Sequence, residues 1–367
     1  PEAGNISLGR DHETGLMDRG TTRELSNQVS YLFARKSRVK LYTGGRVAEP
    51  QLLVEYGHFA TEGIAELVPL DFEAPPQQSV PKLNGFELTN LKIPAEEIKR
   101  GGPPRDGIPS IDNPRFLAAA NADFLKKDDL VLGVQFNGVA KAYPIRILNW
   151  HEIVNDVFDD EGVVVSYCPL CGSGMAFRAE TPDGSRRQFG VSGLLYNSDV
   201  LLYDRQTQSL WSQILSEAVA GKAAGQRLEY IPTQFTTWES WKAAHPGTRV
   251  LSTATGYRRD YSASPYGDYE RTGKLMFPVK ERSDALPAKA RIIGVEVNGV
   301  FRAYPVSVLA KHKTPFSDEV NGRVLTLSFD KIAQSASVTL DGKLYPSVSM
   351  FWFAWYAFHP ATTVYRK

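Results

Sequence analysis

Short apolar runs, several of them rich in β-branched residues and each bounded by turn residues, recur along the chain and predict strands. Residues 131–143 consist of two such runs around Asn137-Gly138, a dipeptide that suits the two positive-φ positions of a type I′ hairpin turn. The valine-rich run of residues 163–167 predicts a buried strand that ends next to Cys168. The pattern therefore predicts a β-rich chain built from hairpins.

Helical spacing of apolar residues is confined to short segments of these stretches. The apolar positions between residues 145 and 154 fall near helical spacing and predict a short helix that carries His151. Residues 236–244 predict a second helix, which ends at His245 because Pro246 follows. The expected fold class is therefore α+β and β-rich.

Two stretches of the sequence occur twice in the same order, which indicates an internal duplication. Residues 131–151 recur as residues 292–312, and residues 232–250 recur as residues 346–364. The first copy has the longer connection between its two stretches. We therefore expect two pseudo-symmetric repeat halves, of which the first is the more elaborate.

The duplication also sets the expected domain boundaries. A duplicated domain is expected over residues 85–367, with the first half at about residues 115–252 and the second at about residues 285–367. Residues 1–84 are expected to form a small N-terminal extension, which is a β-rich module followed by a Pro- and Gln-containing linker.

The balance of charged and apolar residues excludes several classes of protein. The 367 residues include 42 Lys and Arg against 41 Asp and Glu, so the formal net charge of +1 gives no drive toward nucleic acid. No apolar run approaches the roughly 18 residues that span a bilayer, so no transmembrane segment is expected in this chain. A P-loop and a dinucleotide fingerprint are both missing, so no nucleotide cofactor is expected.

The two cysteines, Cys168 and Cys171, form a single CxxC motif at the end of a predicted strand. Gly172 follows where c-type haem attachment needs a histidine, so no haem is expected. Four interpretations remain open for the pair. It is a structural disulfide, a redox-active dithiol, two thiolate ligands for a soft metal such as Cu(I), or two buried thiols without a role.

The duplication favours a chemical role for this pair. With a slip of one residue in the alignment, the second half has Asp330 where Cys168 stands, and it contains no thiol. The fold therefore does not require the CxxC motif. His151 and Met175 are further candidate metal ligands, because imidazole and thioether groups beside two thiolates suit copper.

The longer connection of the first half holds polar residues among leucines, and we expect them to line a pocket. These residues are Tyr196, Asn197, Asp199, Tyr203, Asp204 and Trp211. A core role remains open for Trp211 and for Met175, and a structural role remains open for His151, because His312 matches it in the second half. The acidic residues Glu152 and Asp156 also belong to the cysteine-bearing half only, although a solvated helix face would explain them equally well.

Five longer motifs stand out: GGPPRDGIPSIDNP, KAYPIRILNWHEIVND, SYCPLCGSGMAF, GVSGLLYNSDVLLYDRQTQSLWSQ and FWFAWYAFHP. They resemble the motifs of the bacterial and archaeal domain of unknown function 3179 family, and the resemblance covers about residues 85–367. It implies an extracytoplasmic protein that is periplasmic, secreted or surface-anchored. It implies no settled activity.

These observations lead to one leading hypothesis and two alternatives. The first is an extracytoplasmic copper-binding protein with Cys168 and Cys171 as ligands, completed by His151 or Met175, whose metal is redox-active or stored. The second is a thiol–disulfide oxidoreductase with Cys168 as nucleophile. The third is a non-catalytic interaction module with a structural disulfide, and it leaves an extracytoplasmic protein as the partner to look for.

Overall fold

The fold consists mainly of short antiparallel strands. The computed structural model of the protein describes residues 81–180 and 184–366. The predicted N-terminal extension lies outside the described residues apart from residues 81–84. In that remainder, Lys82–Leu83 pairs with Phe86–Glu87, and Asn84 Nδ2 donates a hydrogen bond of 2.7 Å to Ser192 O. Residues 82–84 therefore contact the part of the chain that carries Ser192.

The strands of the first part of the described chain are β1 (Lys82–Leu83), β2 (Phe86–Glu87), β3 (Ile98–Arg100), β4 (Phe116–Ala118), β5 (Leu130–Phe136), β6 (Val139–Pro144), β7 (Ile153–Phe158), β8 (Glu161–Cys168), β9 (Ser173–Arg178), β10 (Phe189–Tyr196), β11 (Asp199–Asp204), β12 (Leu210–Ser212), β13 (Glu217–Ala220), β14 (Tyr230–Ile231), β15 (Thr233–Thr237) and β16 (Arg249–Leu251). The later strands are β17 (Arg291–Val297), β18 (Val300–Pro305), β19 (Phe316–Val320), β20 (Arg323–Asp330), β21 (Ser335–Leu340), β22 (Lys343–Leu344), β23 (Val348–Phe351) and β24 (Thr363–Val364). The α-helices are α1 (Ile145–His151), α2 (Trp238–Ala244), α3 (Val306–Leu309) and α4 (Trp352–Phe358).

Five sheets of four or five strands contain all the described strands except β1 and β2, which pair with each other. Their strand orders are β13-β12-β11-β10-β3, β14-β9-β8-β7, β15-β5-β6-β16-β4, β23-β17-β18-β24 and β19-β20-β21-β22. The prediction of a β-rich protein is therefore confirmed. Each α-helix in the described chain has seven residues or fewer. Helix is therefore a minor part of the described structure, and the expected α+β class is not confirmed.

The central hairpin of the first copy forms as its turn sequence predicts. Asn137 and Gly138 have φ values of 49° and 77°, which are the positive angles that a type I′ turn requires. β5 and β6 then pair in register from Val131 opposite Pro144 to Phe136 opposite Val139. The turn chemistry thus sets the register of the hairpin.

Strands from the two copies of the repeated sequence pair in the same way. β5 pairs with β6 and β15, and β6 runs parallel to β16. In the second copy, β17 pairs with β18 and β23, and β18 runs parallel to β24. The β8–β9 register places Cys168 opposite Ser173, and the β20–β21 register places Asp330 opposite Ser335. The strand that ends with Cys168 therefore has a counterpart that ends with Asp330.

The predicted helix that carries His151 is α1, but it is shorter than the apolar spacing indicated. Glu152 adopts a left-handed conformation with φ 57°, and its N–H bonds to Leu148 O and ends the helix. Ile153 and Val154 then belong to β7. As neighbouring strand residues they point to opposite faces of the sheet, and each is buried in a different core cluster. Their helical spacing in the sequence was coincidental, since both faces of β7 are covered here.

Candidate metal centre

The CxxC motif forms the turn between β8 and β9. Cys168 ends β8, Ser173 begins β9 opposite it, and Cys171 lies in the connecting turn. Gly172 has φ 62°, a left-handed angle that favours glycine. Both cysteines are free thiols and both are buried, with exposed fractions of 1% for Cys168 and 0% for Cys171.

A carboxyl group joins the two thiols. Asp199 is the first residue of β11 and follows a turn in which Asn197 and Ser198 have positive φ. One carboxylate oxygen of Asp199 and the Sγ atoms of Cys168 and Cys171 all lie within 4.8 Å of one another. Ser198 O accepts hydrogen bonds from both thiols, at 3.7 Å and 3.4 Å. Three buried ligand atoms therefore converge, and this group can hold a metal ion.

The two oxygens of Asp199 differ in their surroundings. Oδ2 accepts hydrogen bonds of 3.1 Å from Ser212 Oγ and 3.1 Å from Ile214 N. Oδ1 is buried and has no hydrogen-bond partner among the residues that the structure describes. Burial raises the pKa of Asp199 to about 7, against the opposing effect of these hydrogen bonds. The carboxyl group thus has one buried oxygen left over for a ligand.

The thiols share this unfavourable environment for negative charge. Burial raises the pKa of the Cys171 thiol well above its usual range, and the neighbouring Cys168, Asp199 and Glu152 raise it further. A bound cation would offset the burial of negative charge on all of these groups at once. The site is therefore better suited to a metal ion than to free thiolates.

Residues of the second copy hold the cysteine turn in place. Arg291 donates a hydrogen bond of 2.9 Å to Gly172 O, and Phe351 N donates one of 2.8 Å to Cys171 O. A Cβ atom at Gly172 would lie 2.9 Å from Phe351 Cζ, so this contact needs glycine as well as the positive φ. Residues from the C-terminal part of the chain therefore support the turn that carries the two cysteines.

The structure does not bring His151 to the thiols. Its Nδ1 lies 2.7 Å from Pro109 O, and its Nε2 lies 2.7 Å from the Tyr261 hydroxyl. Burial lowers the pKa of His151, which favours the neutral ring. Both ring nitrogens are therefore engaged, and His151 is not part of the converging group of Cys168, Cys171 and Asp199.

Met175 lies in β9, the strand that pairs with the cysteine-bearing strand β8. It stands opposite Ser166 in the β8–β9 pair, and this register puts it on the same sheet face as Cys168. It is buried and belongs to the same apolar cluster as the two cysteines. The cluster combines strands of the first copy with Phe351 and Trp352 of the second.

The six residues expected to line a pocket are divided between separate surroundings. Asp199 joins the thiols, and Asn197 shapes the turn before it, where Asn197 Oδ1 accepts a hydrogen bond of 2.9 Å from Lys280 N. The Tyr196 ring meets the edge of Phe358, with 5.4 Å between the ring centroids.

The other three of these residues make structural contacts. Tyr203 donates a hydrogen bond of 2.6 Å to Asp106 Oδ2. Trp211 is fully buried, and its Nε1 donates a bond of 2.9 Å to Asp204 Oδ2, which Thr207 Oγ1 also approaches at 2.6 Å. Asp204 and Trp211 thus form a buried polar pair, which agrees with the core role left open for Trp211.

A cavity of about 600 Å³ lies next to the centre, and the six residues are absent from its lining. Leu170, from within the CxxC motif, and Val200, the neighbour of Asp199, both line it. Glu152 and Tyr266 line it as well. Sequence reasoning did not place Tyr266 there, since no pattern marks it. The one signal for Glu152 was that this acidic residue occurs in the cysteine-bearing half only.

Within the described ranges 81–180 and 184–366, no helix has the length and apolar composition that crossing a bilayer requires.

Comparison with known proteins identifies a family for this chain. Residues 105–343 match the family described as "Protein of unknown function (DUF3179)". No curated protein matches the chain, and no solved structure matches it. The resemblance seen in the sequence motifs is confirmed over most of the chain. The chain belongs to the DUF3179 family.

Proposed function

We propose that this protein binds a soft metal ion, with copper as the first candidate, between Cys168, Cys171 and Asp199. The observation that carries the proposal is the convergence of three buried ligand atoms within 4.8 Å, one of them from a carboxyl group whose Oδ1 lacks a partner in the described structure. A cation bound here would offset the cost of burying these groups as anions, and its binding would release their protons, so affinity should rise with pH.

The ligand set favours copper over zinc. Thiolates are soft ligands that select Cu(I). A structural zinc site normally has four protein ligands, whereas two thiols and one carboxyl group converge among the described residues. Met175 offers a further soft donor from the same sheet face as Cys168. The harder oxygen of Asp199 suits Cu(II), so the same site supports a redox-active ion as well as a stored one.

In this proposal the protein works outside the cytoplasm, as its resemblance to the family implies, and its fold consists of two pseudo-symmetric halves. The division into two halves is supported by the two matching hairpins, β5–β6 and β17–β18, whose strands have corresponding neighbours. The half with Cys168 specialised in metal binding, and the half with Asp330 supports it. Asp330 Oδ1 instead accepts hydrogen bonds from Ile332 N and Ala333 N within its own turn.

The two alternative functions have weaker support. A thiol–disulfide oxidoreductase needs an accessible thiolate, whereas Cys168 and Cys171 are buried and burial raises the pKa of Cys171. A structural disulfide would leave no ligands, whereas both cysteines are free thiols. Titration of the thiols in metal-free protein against a glutathione buffer separates these alternatives from the metal site.

The test is metal analysis of the full chain isolated without chelators and then reconstituted anaerobically with Cu(I). We expect one copper ion per wild-type chain, and negligible copper in Cys168→Ser and Cys171→Ser. Asp330→Asn is the matched control, because it changes the corresponding turn of the second copy, and it should bind copper as the wild type does. Equal copper in the wild type and Cys168→Ser would overturn the proposal.

A further inference from the structure

The cavity beside the thiol centre has mostly apolar walls, and two of its lining residues are sequence neighbours of the candidate metal ligands. Its volume is about 600 Å³, within the range of small-molecule sites. Leu170 lies between the two cysteines in sequence, and Val200 follows Asp199. The aromatic rings of Trp150 and Phe277 contribute to the walls. A molecule in this cavity would therefore lie against apolar and aromatic surface.

One buried carboxyl group faces this apolar space. Glu152 lines the cavity and has an exposed fraction of 6%. The Tyr266 hydroxyl donates a hydrogen bond of 2.7 Å to Glu152 Oε1. Among the described residues no hydrogen bond to Oε2 is found, and Oε2 is not among the fully enclosed side-chain atoms, so a molecule in the cavity can reach it. Buried carboxyl groups are normally paired, because removing them from water is costly. Glu152 Oε2 is thus an accessible hydrogen-bond acceptor at the cavity that no described residue occupies.

The backbone holds this acceptor firmly. Glu152 ends α1 in the left-handed conformation, its N–H bonds to Leu148 O, and its own carbonyl accepts a hydrogen bond of 2.7 Å from Tyr167 N. Tyr167 belongs to β8, the strand that delivers Cys168. The backbone of Glu152 is therefore fixed by hydrogen bonds on both sides, to the end of α1 and to the strand that carries Cys168.

The cavity also carries one cationic group, which argues against a cationic ligand. Arg259 is exposed and contributes to the cavity lining, and its guanidinium carbon lies 5.8 Å from the Trp150 ring centroid. None of the described carboxylates lies within ion-pair distance of Arg259. An ammonium ligand would be attracted by Glu152 but repelled by Arg259, whereas a neutral hydroxyl group would meet only the favourable contact.

We infer that this cavity binds a small aromatic alcohol, whose ring occupies the apolar space and whose hydroxyl group donates a hydrogen bond to Glu152 Oε2. The inference goes beyond the proposed metal binding, because neither the apolar walls nor Glu152 requires a metal ion. It assigns to Glu152 the role of selecting ligands with a hydroxyl group over plain hydrocarbons of the same shape.

The experiment measures binding of three probes to the metal-free full chain at pH 8 by intrinsic fluorescence and calorimetry. The probes are 2-naphthol, naphthalene and 2-naphthylmethylammonium. We expect wild-type protein to bind 2-naphthol about tenfold more tightly than naphthalene, since a hydrogen bond to a charged group contributes at least this factor. The ammonium probe should bind more weakly than 2-naphthol.

Two variants test the assignment of Glu152. In Glu152→Gln, the Tyr266 hydroxyl retains the oxygen, so the amide NH₂ group replaces the Oε2 acceptor with a donor. We expect the preference for 2-naphthol to fall, because a hydrogen bond from a neutral amide is weaker than one to a carboxylate, while naphthalene binding is retained. Ile108→Trp adds volume at a half-buried lining position and should weaken both probes equally.

Three outcomes would overturn the inference: equal wild-type affinities for 2-naphthol and naphthalene, tightest binding of the ammonium probe, or an unchanged preference in Glu152→Gln. The wild-type comparison and Ile108→Trp retain their value if Glu152→Gln does not fold. Because copper is left out throughout, a failure here leaves the metal proposal intact, and loss of copper binding leaves this inference intact.

Discussion

Trp241 packs its indole ring against the backbone of Gly133, so closely that a Cβ atom at Gly133 would lie 2.2 Å from Trp241 Cε3. The second copy repeats the contact, where a Cβ atom at Gly294 would lie 2.3 Å from Trp355 Cζ3. The indole N–H donates to a threonine hydroxyl at 2.8 Å in both copies. Each central hairpin thus needs a glycine at the point where its tryptophan crosses it.

The first prediction follows from this contact. Gly133→Ala should lower the free energy of unfolding by about 2–3 kcal/mol, because the new methyl group overlaps the indole ring and neither hairpin nor helix can yield freely. Chemical denaturation measures the change. Combining Gly133→Ala with Trp241→Leu should give less than the sum of the two single effects, since the two residues are in contact.

Gly247→Ala is the matched control for this prediction, because a Cβ atom there would meet nothing within 4 Å. Its effect should stay within about 0.5 kcal/mol. A loss at Gly133→Ala no larger than at Gly247→Ala would show that the tryptophan contact is not tight.

The second prediction concerns the support that the second copy gives to the cysteine turn. The guanidinium carbon of Arg291 lies 4.5 Å from the centroid of the Phe235 ring and 4.8 Å from that of the Phe351 ring. Arg291→Met retains an apolar side chain between these rings but loses the hydrogen bond to Gly172 O. The turn would be less well positioned, so Cu(I) affinity should fall about tenfold, the effect of one lost supporting interaction. Competition with a chromophoric Cu(I) chelator measures it.

Arg323→Met is the control, since Arg323 pairs with Asp341 on the surface and should leave copper affinity unchanged. An Arg291→Met variant that folds normally and binds copper like the wild type would contradict the supporting role of Arg291.

The third prediction is that Asp199→Asn stabilises the metal-free protein but reduces the stabilisation that copper provides. In metal-free protein at pH 8, Asp199→Asn should raise the free energy of unfolding by about 1–2 kcal/mol, because a neutral amide replaces a buried carboxyl group with an unpartnered oxygen. The amide oxygen can still accept the bonds from Ser212 and Ile214. Thermal denaturation with and without Cu(I) checks the sign, and the added stability from copper should be much smaller in Asp199→Asn than in the wild type.

If Asp199→Asn destabilised the metal-free protein and left the gain from copper unchanged, Asp199 would be a structural residue and not a ligand.

The fourth prediction concerns the pH dependence of stability. Burial lowers the pKa of His359 to about 4, and its ring stacks on Phe301 with 3.9 Å between the centroids. In the unfolded chain its pKa is about 6.5. The contribution of neutral His359 is fully present above pH 6.5 and is lost as the pH falls toward 4, because the unfolded chain then binds the extra proton.

His359→Phe retains the stacking partner and cannot be protonated. Between pH 7.5 and pH 4.5, the wild type should lose about 2 kcal/mol more stability than His359→Phe. Denaturant titrations at both pH values measure the difference. His245→Phe is the comparison from the first copy, where burial also lowers the pKa of the histidine, and its effect should be smaller because His245 is less buried. Equal losses in wild type and His359→Phe would contradict the prediction.

The local features of the fold could be predicted because neighbouring residues determine them. Asn137-Gly138 allows few conformations other than its hairpin turn, and Pro246 prevents the helix before it from continuing. The extent of α1 was wrong in the expectation because Ile153 and Val154, on opposite faces at the start of β7, are both buried, which hides the alternation that normally marks a strand.

The amino-acid sequence by itself determined the β-rich character, the family, and the pair of thiols at the end of β8, since these depend on residue types and short spacings. Only the tertiary structure decided which groups meet the thiols. Asp199 reaches them through a turn of β10–β11, whereas His151, nearer in sequence, bonds to Pro109 and Tyr261. Contacts between distant residues depend on how sheets pack, and packing follows from the whole set of buried side chains, which no local pattern contains.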